Sequence, residues 1–174
     1  MTAAPDDWSH YALYADRLRL QGPDHLATVT TLWALVRAGL TDLPVPEGGS
    51  GTVGEPSDLP DGVGPDGVHL EGDHDELLSD LLVAAVDFQE RQVARHGPDA
   101  PETLRATLSL AHAMAAANQY EGQRDHALIL AQDAREGIDD LAVRSPETVG
   151  ARDQEVARTL QHWILDLLGE DPTH

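Results

Sequence analysis

Cysteine and lysine are absent from this chain, phenylalanine occurs once, and no apolar run reaches bilayer length. Without cysteine there is no disulfide and no thiolate chemistry, although that absence leaves the redox compartment open. Without lysine no G-x-x-x-x-G-K-S/T phosphate loop exists, and no G-x-S-x-G elbow occurs either. Phosphate-loop nucleotide hydrolysis and serine-hydrolase chemistry therefore drop out. Aromatic residues make up only 4% of the 174, so a core must be built from Leu, Ala and Val. That usage suits closely packed helices better than sheets and predicts an all-α chain. The best candidate for a membrane span, Leu77–Val86, is interrupted by Ser79 and Asp80. The stretch Met1–Asp7 has neither the basic region nor the apolar core of an export signal, which predicts a cytoplasmic protein.

What is abundant is acid: 31 acidic residues oppose 11 basic ones, all arginine, for a formal charge of −20. Nucleic-acid affinity comes largely from neutralising phosphates with basic groups, so direct binding to DNA, RNA or an anionic membrane is not expected. A field of this sign favours a basic protein partner. An acidic decoy imitating nucleic acid is a competing expectation, although eight of the acidic residues lie in one loop-like stretch rather than on a rigid face.

That stretch is Leu43–Asp75, which holds eight of the fifteen glycines, five of the eleven prolines and no arginine. It cannot bury enough apolar surface to offset its ordering entropy and reads as a long acidic insertion within a single domain spanning 1–174. Around it, apolar residues recur at helical spacing in six segments. The first runs from Asp6 to Leu20, stopped by Gly22 and Pro23. The second runs from Asp24 to about Ala38, with Gly39 marking its end. The third runs from Glu76 to Arg95, stopped by Gly97 and Pro98. The fourth, Ala100 to Asn118, opens with a D-x-x-E capping box at Asp99 and Glu102 and has Pro101 in its first turn. The fifth reaches about Ile138, and the sixth is opened by Ser145 and Pro146 and ends at Gly169.

One phrase recurs. Gly22-Pro23-Asp24-His25 with Thr28-Val29 is matched by Gly97-Pro98-Asp99 with Pro101 and Thr103-Leu104, and again by Ser145-Pro146-Glu147-Thr148-Val149. The two Thr separations are 75 and 45 residues, but discounting the 33-residue insertion brings the first to 42. A period in the low forties is a solenoid signal. With Leu110-Ala111-His112-Ala113 further along, these words resemble the kinesin-light-chain-like branch of tetratricopeptide repeats. The small positions of that pattern are kept at Ala111, Ala115, Ala127 and Ala131, while its aromatic positions are lost. The resemblance implies a short right-handed solenoid of antiparallel helix pairs, about six helices in three pairs. It also implies a non-catalytic interaction module, an adaptor or regulatory subunit, that takes a protein segment in its groove.

By the same resemblance, the flank of each first helix lines that groove, and the residues it offers are Arg37, Arg105, Ser109, His112, Gln119 and Gln154. For His112 a second reading is equally open, a half-buried polar residue paired within the fold. Trp33 and Trp163 read as core or cap residues. The run His69, Glu71, Asp73, His74, Asp75, Glu76 has ligand types that would suit a divalent transition metal in a metal-binding protein or a metal-dependent enzyme. A solvated acidic loop entering the first turn of a helix, where carboxylates favour the dipole, accounts for the same residues. No metal and no cofactor are predicted, and a homo-oligomer stays open.

Overall fold

The computed structural model describes residues 9–42 and 74–169. Among these the chain forms six α-helices and no strand: α1 Ser9–Gln21, α2 Leu26–Asp42, α3 His74–His96, α4 Pro101–Ala117, α5 Gln123–Arg144 and α6 Ala151–Leu168. No described helix is long and apolar enough to cross a membrane. Most of the predicted insertion, and the ligand types His69, Glu71 and Asp73, lie outside the described residues.

The recurring phrase has a conformational meaning at its first two occurrences. Gly22 and Gly97 adopt φ of 88° and 89°, a left-handed conformation that costs glycine little, and each closes the preceding helix through its own N–H. Proline and aspartate then make the turn, and the Thr six residues after each glycine is buried. The Thr103 hydroxyl donates to the Gly97 carbonyl at 2.6 Å, while the Thr28 hydroxyl donates to the Arg17 carbonyl at 3.3 Å. The third occurrence is different. Ser145 replaces glycine and sits at φ −146°, so the chain turns without a left-handed residue and α6 starts only at Ala151. Pro146 therefore stands in the turn and does not open the helix. Gly150 supplies the N-cap, its N–H donating to the Asp153 carboxylate at 3.0 Å.

Three further expectations are corrected. The capping box at Asp99 and Glu102 does not form, because Asp99 belongs to the turn and Ala100 is the N-cap, with no side-chain cap bond. Pro101 at the helix start and the Thr103 hydroxyl settle that end instead. Gly39 does not end α2, which runs on to Asp42. Its missing side chain is filled by the Phe88 ring of α3, which stands where a Cβ would be. Glycine is there for close approach of two helices, not for a stop. α5 likewise runs past Ile138 to Arg144, with Gly137 admitting the Leu104 side chain of α4.

The six helices share their interior. α4 is central: its backbone approaches α2, α3, α5 and α6, and eleven of its seventeen residues are buried. α1 packs on α2 and also reaches α6, so the first and last helices touch. A main cluster gathers Tyr14, Leu18, Leu32, Leu81, Phe88, Leu108 and Leu160 from five helices. Burial on this scale contributes roughly 1.5–3 kcal/mol for each large aliphatic side chain. A second cluster, Ala111, Ala115, Ala127, Ala131 and Ile164, joins α4, α5 and α6 through small residues that let the helices approach closely.

Candidate functional site

Along α4, Arg105, Ser109 and His112 fall at spacings of four and three and so share one stripe. Opposite them stand α1 with two of the chain's three tyrosines, Tyr11 and Tyr14, and the start of α6 with Asp153. The cluster has two halves.

In the first, the Arg105 guanidinium forks onto Asp153, Nε to Oδ1 at 2.8 Å and Nη2 to Oδ2 at 3.2 Å, and Nη2 also donates to the Thr148 carbonyl at 3.0 Å. The same guanidinium lies over the Tyr11 ring, 5.4 Å from its centroid. The two charged side chains are 16% and 7% exposed, which makes this a buried pair. Burial by itself would raise the Asp153 carboxyl, but hydrogen bonds from Arg105 and the Gly150 N–H outweigh it and hold the group below the usual carboxylate range. Burial, followed by the neighbouring Asp153 charge, pushes the Tyr11 hydroxyl well up, so Tyr11 stays neutral beside that carboxylate.

In the second half, the wholly buried His112 ring spans α1 and the turn after it. Its Nε2 lies 2.9 Å from the Pro23 carbonyl, which only accepts, so Nε2 carries the proton. Nδ1 is then the acceptor for the Tyr14 hydroxyl at 2.8 Å. The ring also meets the Trp163 ring edge-on at 5.1 Å. Burial lowers the imidazole pKa to about 4, so His112 is neutral at physiological pH, as its two hydrogen bonds require.

The expected groove residues divide. Arg105, Ser109 and His112 come together, but not on an open surface. His112 and Ser109 are each 0% exposed, because α1 and α6 cover this side of α4, and Ser109 spends its hydroxyl on the Arg105 carbonyl at 3.1 Å. Of the two readings open for His112, the ring takes the internally paired one. The other three have different partners. Arg37 lies over Trp33 of its own helix, 5.9 Å from the ring centroid. Gln154 donates to Asp139 of α5 at 3.0 Å. Gln119 is exposed at the α4–α5 turn, its N–H donating to Gln123 Oε1 at 3.0 Å, and it lines a shallow depression of about 380 Å³ with Tyr120, Arg124 and Leu168. His74, Asp75 and Glu76 are exposed on the first turn of α3, and no group of three or more potential metal ligands occurs among the described residues.

Sequence reasoning missed Tyr14, Asp153 and the Thr148 carbonyl. The available signal was Tyr11-x-x-Tyr14, two polar-tipped aromatics on one helical face in a chain with very few aromatics. Every acid–base group of the cluster is already spent on a protein partner. What the arrangement does chemically is hold α1 against α4 and α6 at a fixed register.

Comparison with known proteins returns no match: no family model fits this chain, and neither a curated protein nor a solved structure is similar to it.

Proposed function

We propose that this chain is a non-catalytic interaction module of the tetratricopeptide-like kind, an adaptor or regulatory subunit that takes a basic segment of another protein against its helices. In this reading the helices form a short right-handed solenoid of antiparallel pairs. The observation that carries it is the conformational equivalence of the two Gly-Pro-Asp turns, with glycines at φ of 88° and 89° and a buried Thr six residues after each. A phrase that recurs in sequence and in backbone conformation marks a repeated unit, and repeated helical units build extended binding faces. The charge of −20 supplies the preference for a basic partner and speeds its approach.

The test is affinity capture with the full chain from its native host at about 0.05 M and about 0.5 M salt, followed by association kinetics on the recovered protein. The expected result is a basic partner whose association rate falls as salt rises, because the attraction acts at long range through solvent. A partner that is acidic, or whose association ignores salt, overturns the electrostatic part of the reading. Failure to recover any protein at low salt overturns the whole.

A further inference from the structure

The flank of α4 that a tetratricopeptide-like groove would use is filled from within, since Ser109 and His112 are wholly buried. That leaves a partner the outer faces, and two of them carry the same pattern. α3 and α5 both pack against α4 without approaching each other, and burial alone fixes how their residues correspond. Each of the five buried residues of α5 lies 46 positions after a buried residue of α3, from Leu77 and Gln123 at one end to Gln92 and Ile138 at the other. On the opposite side the same offset aligns Val83 with Ile129, Asp87 with Asp133 and Glu90 with Glu136. Spacings of four and three place each set on one stripe of its helix. Val83 is 69% and Ile129 54% exposed.

Packing explains why buried positions recur, but it says nothing about outer ones. The buried pairs in fact differ: Phe88 corresponds to Ala134, Leu81 to Ala127 and Gln92 to Ile138, and only Ala85 and Ala131 agree. The outer set keeps its chemistry at all three places. One exposed aliphatic is ordinary, whereas the same aliphatic with the same two carboxylates on two helices is a pattern that the interior does not impose. The stripes differ in one neighbour. Arg91, one turn past Asp87, pairs with it at 2.8 Å, but the corresponding residue of α5 is Gly137, where Leu104 takes the space of a side chain. Asp133 has no ion-pair or hydrogen-bond partner among the described residues, and Glu136 has only a 3.9 Å contact with Arg135. The α5 stripe thus keeps charge that the α3 stripe spends on its own helix.

We propose that the outer stripes of α3 and α5 are two equivalent docking faces, each taking a basic amphipathic helix of another protein. The incoming helix sets an aliphatic side chain on Val83 or Ile129 and basic groups on the carboxylates one and two turns along, and α5 is the tighter face. This rests on the interaction reading above and names its site. Charge complementarity selects the occupant, because a chain of formal charge −20 repels a second copy of itself and attracts a cationic helix.

The probe is a synthetic alanine-based helix with one leucine and arginines four and seven residues after it, titrated into the isotope-labelled full chain and followed by amide shifts. Its control has the same composition in scrambled order. Saturable shifts should centre on residues 83–90 and 129–136, and the scrambled peptide should bind at least five-fold more weakly. Asp133→Asn with Glu136→Gln should weaken the α5 face about five-fold, the size of two partly solvated ion pairs, and leave the α3 face unchanged. Glu147→Gln with Glu155→Gln, the same charge change at exposed positions elsewhere, should alter neither face. Ile129→Arg, which leaves the carboxylates in place, should remove binding at α5. Absence of peptide binding, equal binding of the scrambled peptide, shifts spread evenly over the surface, or equal weakening by both double variants overturns the proposal. A native partner captured equally by the wild type and by a Val83→Arg, Ile129→Arg chain also overturns it, while leaving the interaction reading intact. No native partner with either chain defeats that earlier reading, and the peptide titration still decides this one.

Discussion

α4 is held by two seams built on opposite chemical principles. Towards α5 and α6 it offers Ala111 and Ala115 to Ala127, Ala131 and Ile164, all 0% exposed. Towards α1 and the start of α6 it offers Arg105 and His112 to two tyrosines and the Asp153 carboxylate. The alanine seam gains its energy from close contact and asks only that volumes match. Hydrogen bonding contributes little net energy at the polar seam and fixes the register instead, because a shift of one residue would strand buried charges and donors. One seam sets how close the helices lie, and the other sets which helix lies there.

The largest difference between them should appear when one partner is removed. Arg105→Ala leaves Asp153 buried without its counter-charge and should cost about 3–5 kcal/mol in urea-unfolding free energy. Replacing both partners with apolar residues of similar size, Arg105→Met with Asp153→Leu, should recover most of that loss. If the single variant costs under about 1 kcal/mol, the pair is effectively solvated and the polar seam holds no buried charge.

Acid should open the same seam selectively. His112 is held neutral in the folded chain with a pKa of about 4, while an unfolded histidine takes up its proton near about 6.5. The unfolded state therefore binds more protons between these values, so stability is fully present above about pH 6.5 and falls as pH drops towards 4. At about 1.4 kcal/mol per pH unit the loss at pH 4.5 is about 2–3 kcal/mol. Asp153, with its carboxyl held low, contributes in the same direction but only below the ordinary carboxylate range, which separates the two windows. Unfolding midpoints at pH 7 and 4.5 for the wild type and His112→Gln measure the effect. An equal slope in both proteins would remove His112 as its cause.

The alanine seam breaks differently. Ala131 is 0% exposed between helices, and Ala131→Leu forces in volume that the seam has no room for. The expected cost is about 1–3 kcal/mol, with no dependence on pH between 7 and 4.5 and none on salt. A pH-dependent loss would show that the two seams are coupled through α4.

These differences explain which features could be read from the residues alone. Helix number, the Gly22 and Gly97 stops and the small residues of the alanine seam follow from periodicity and from backbone needs that act within a few residues. Gly39 was legible as glycine but not as a contact, since the Phe88 ring that fills its place lies across α3. Asp153 was hidden because its role as a helix-start acceptor is local while its role as the Arg105 counter-ion spans 48 residues. His112 shows the limit most clearly. Its placement on the Arg105 stripe follows from helical spacing, but its burial depends on a tyrosine 98 residues earlier. No periodicity reports which distant helix covers a face.

The smallest expected effect is also the sharpest test of what the polar seam is for. Tyr14→Phe keeps the ring, its burial and its tilted contact with the His112 ring at 5.8 Å, and deletes one hydroxyl. His112 Nδ1 then has no donor facing it, while Nε2 still donates to the Pro23 carbonyl. Losing one neutral hydrogen bond and leaving one buried acceptor costs about 1–2 kcal/mol, well below the Arg105→Ala loss. A seam that served stability alone should lose that amount and nothing else. A seam that fixes register should also loosen α1 out of proportion, so amide exchange in Ser9–Gln21 should accelerate at least ten-fold more than exchange in α5. Uniform acceleration across all helices would mean that the Tyr14–His112 bond contributes ordinary core stability and does not specify where α1 sits.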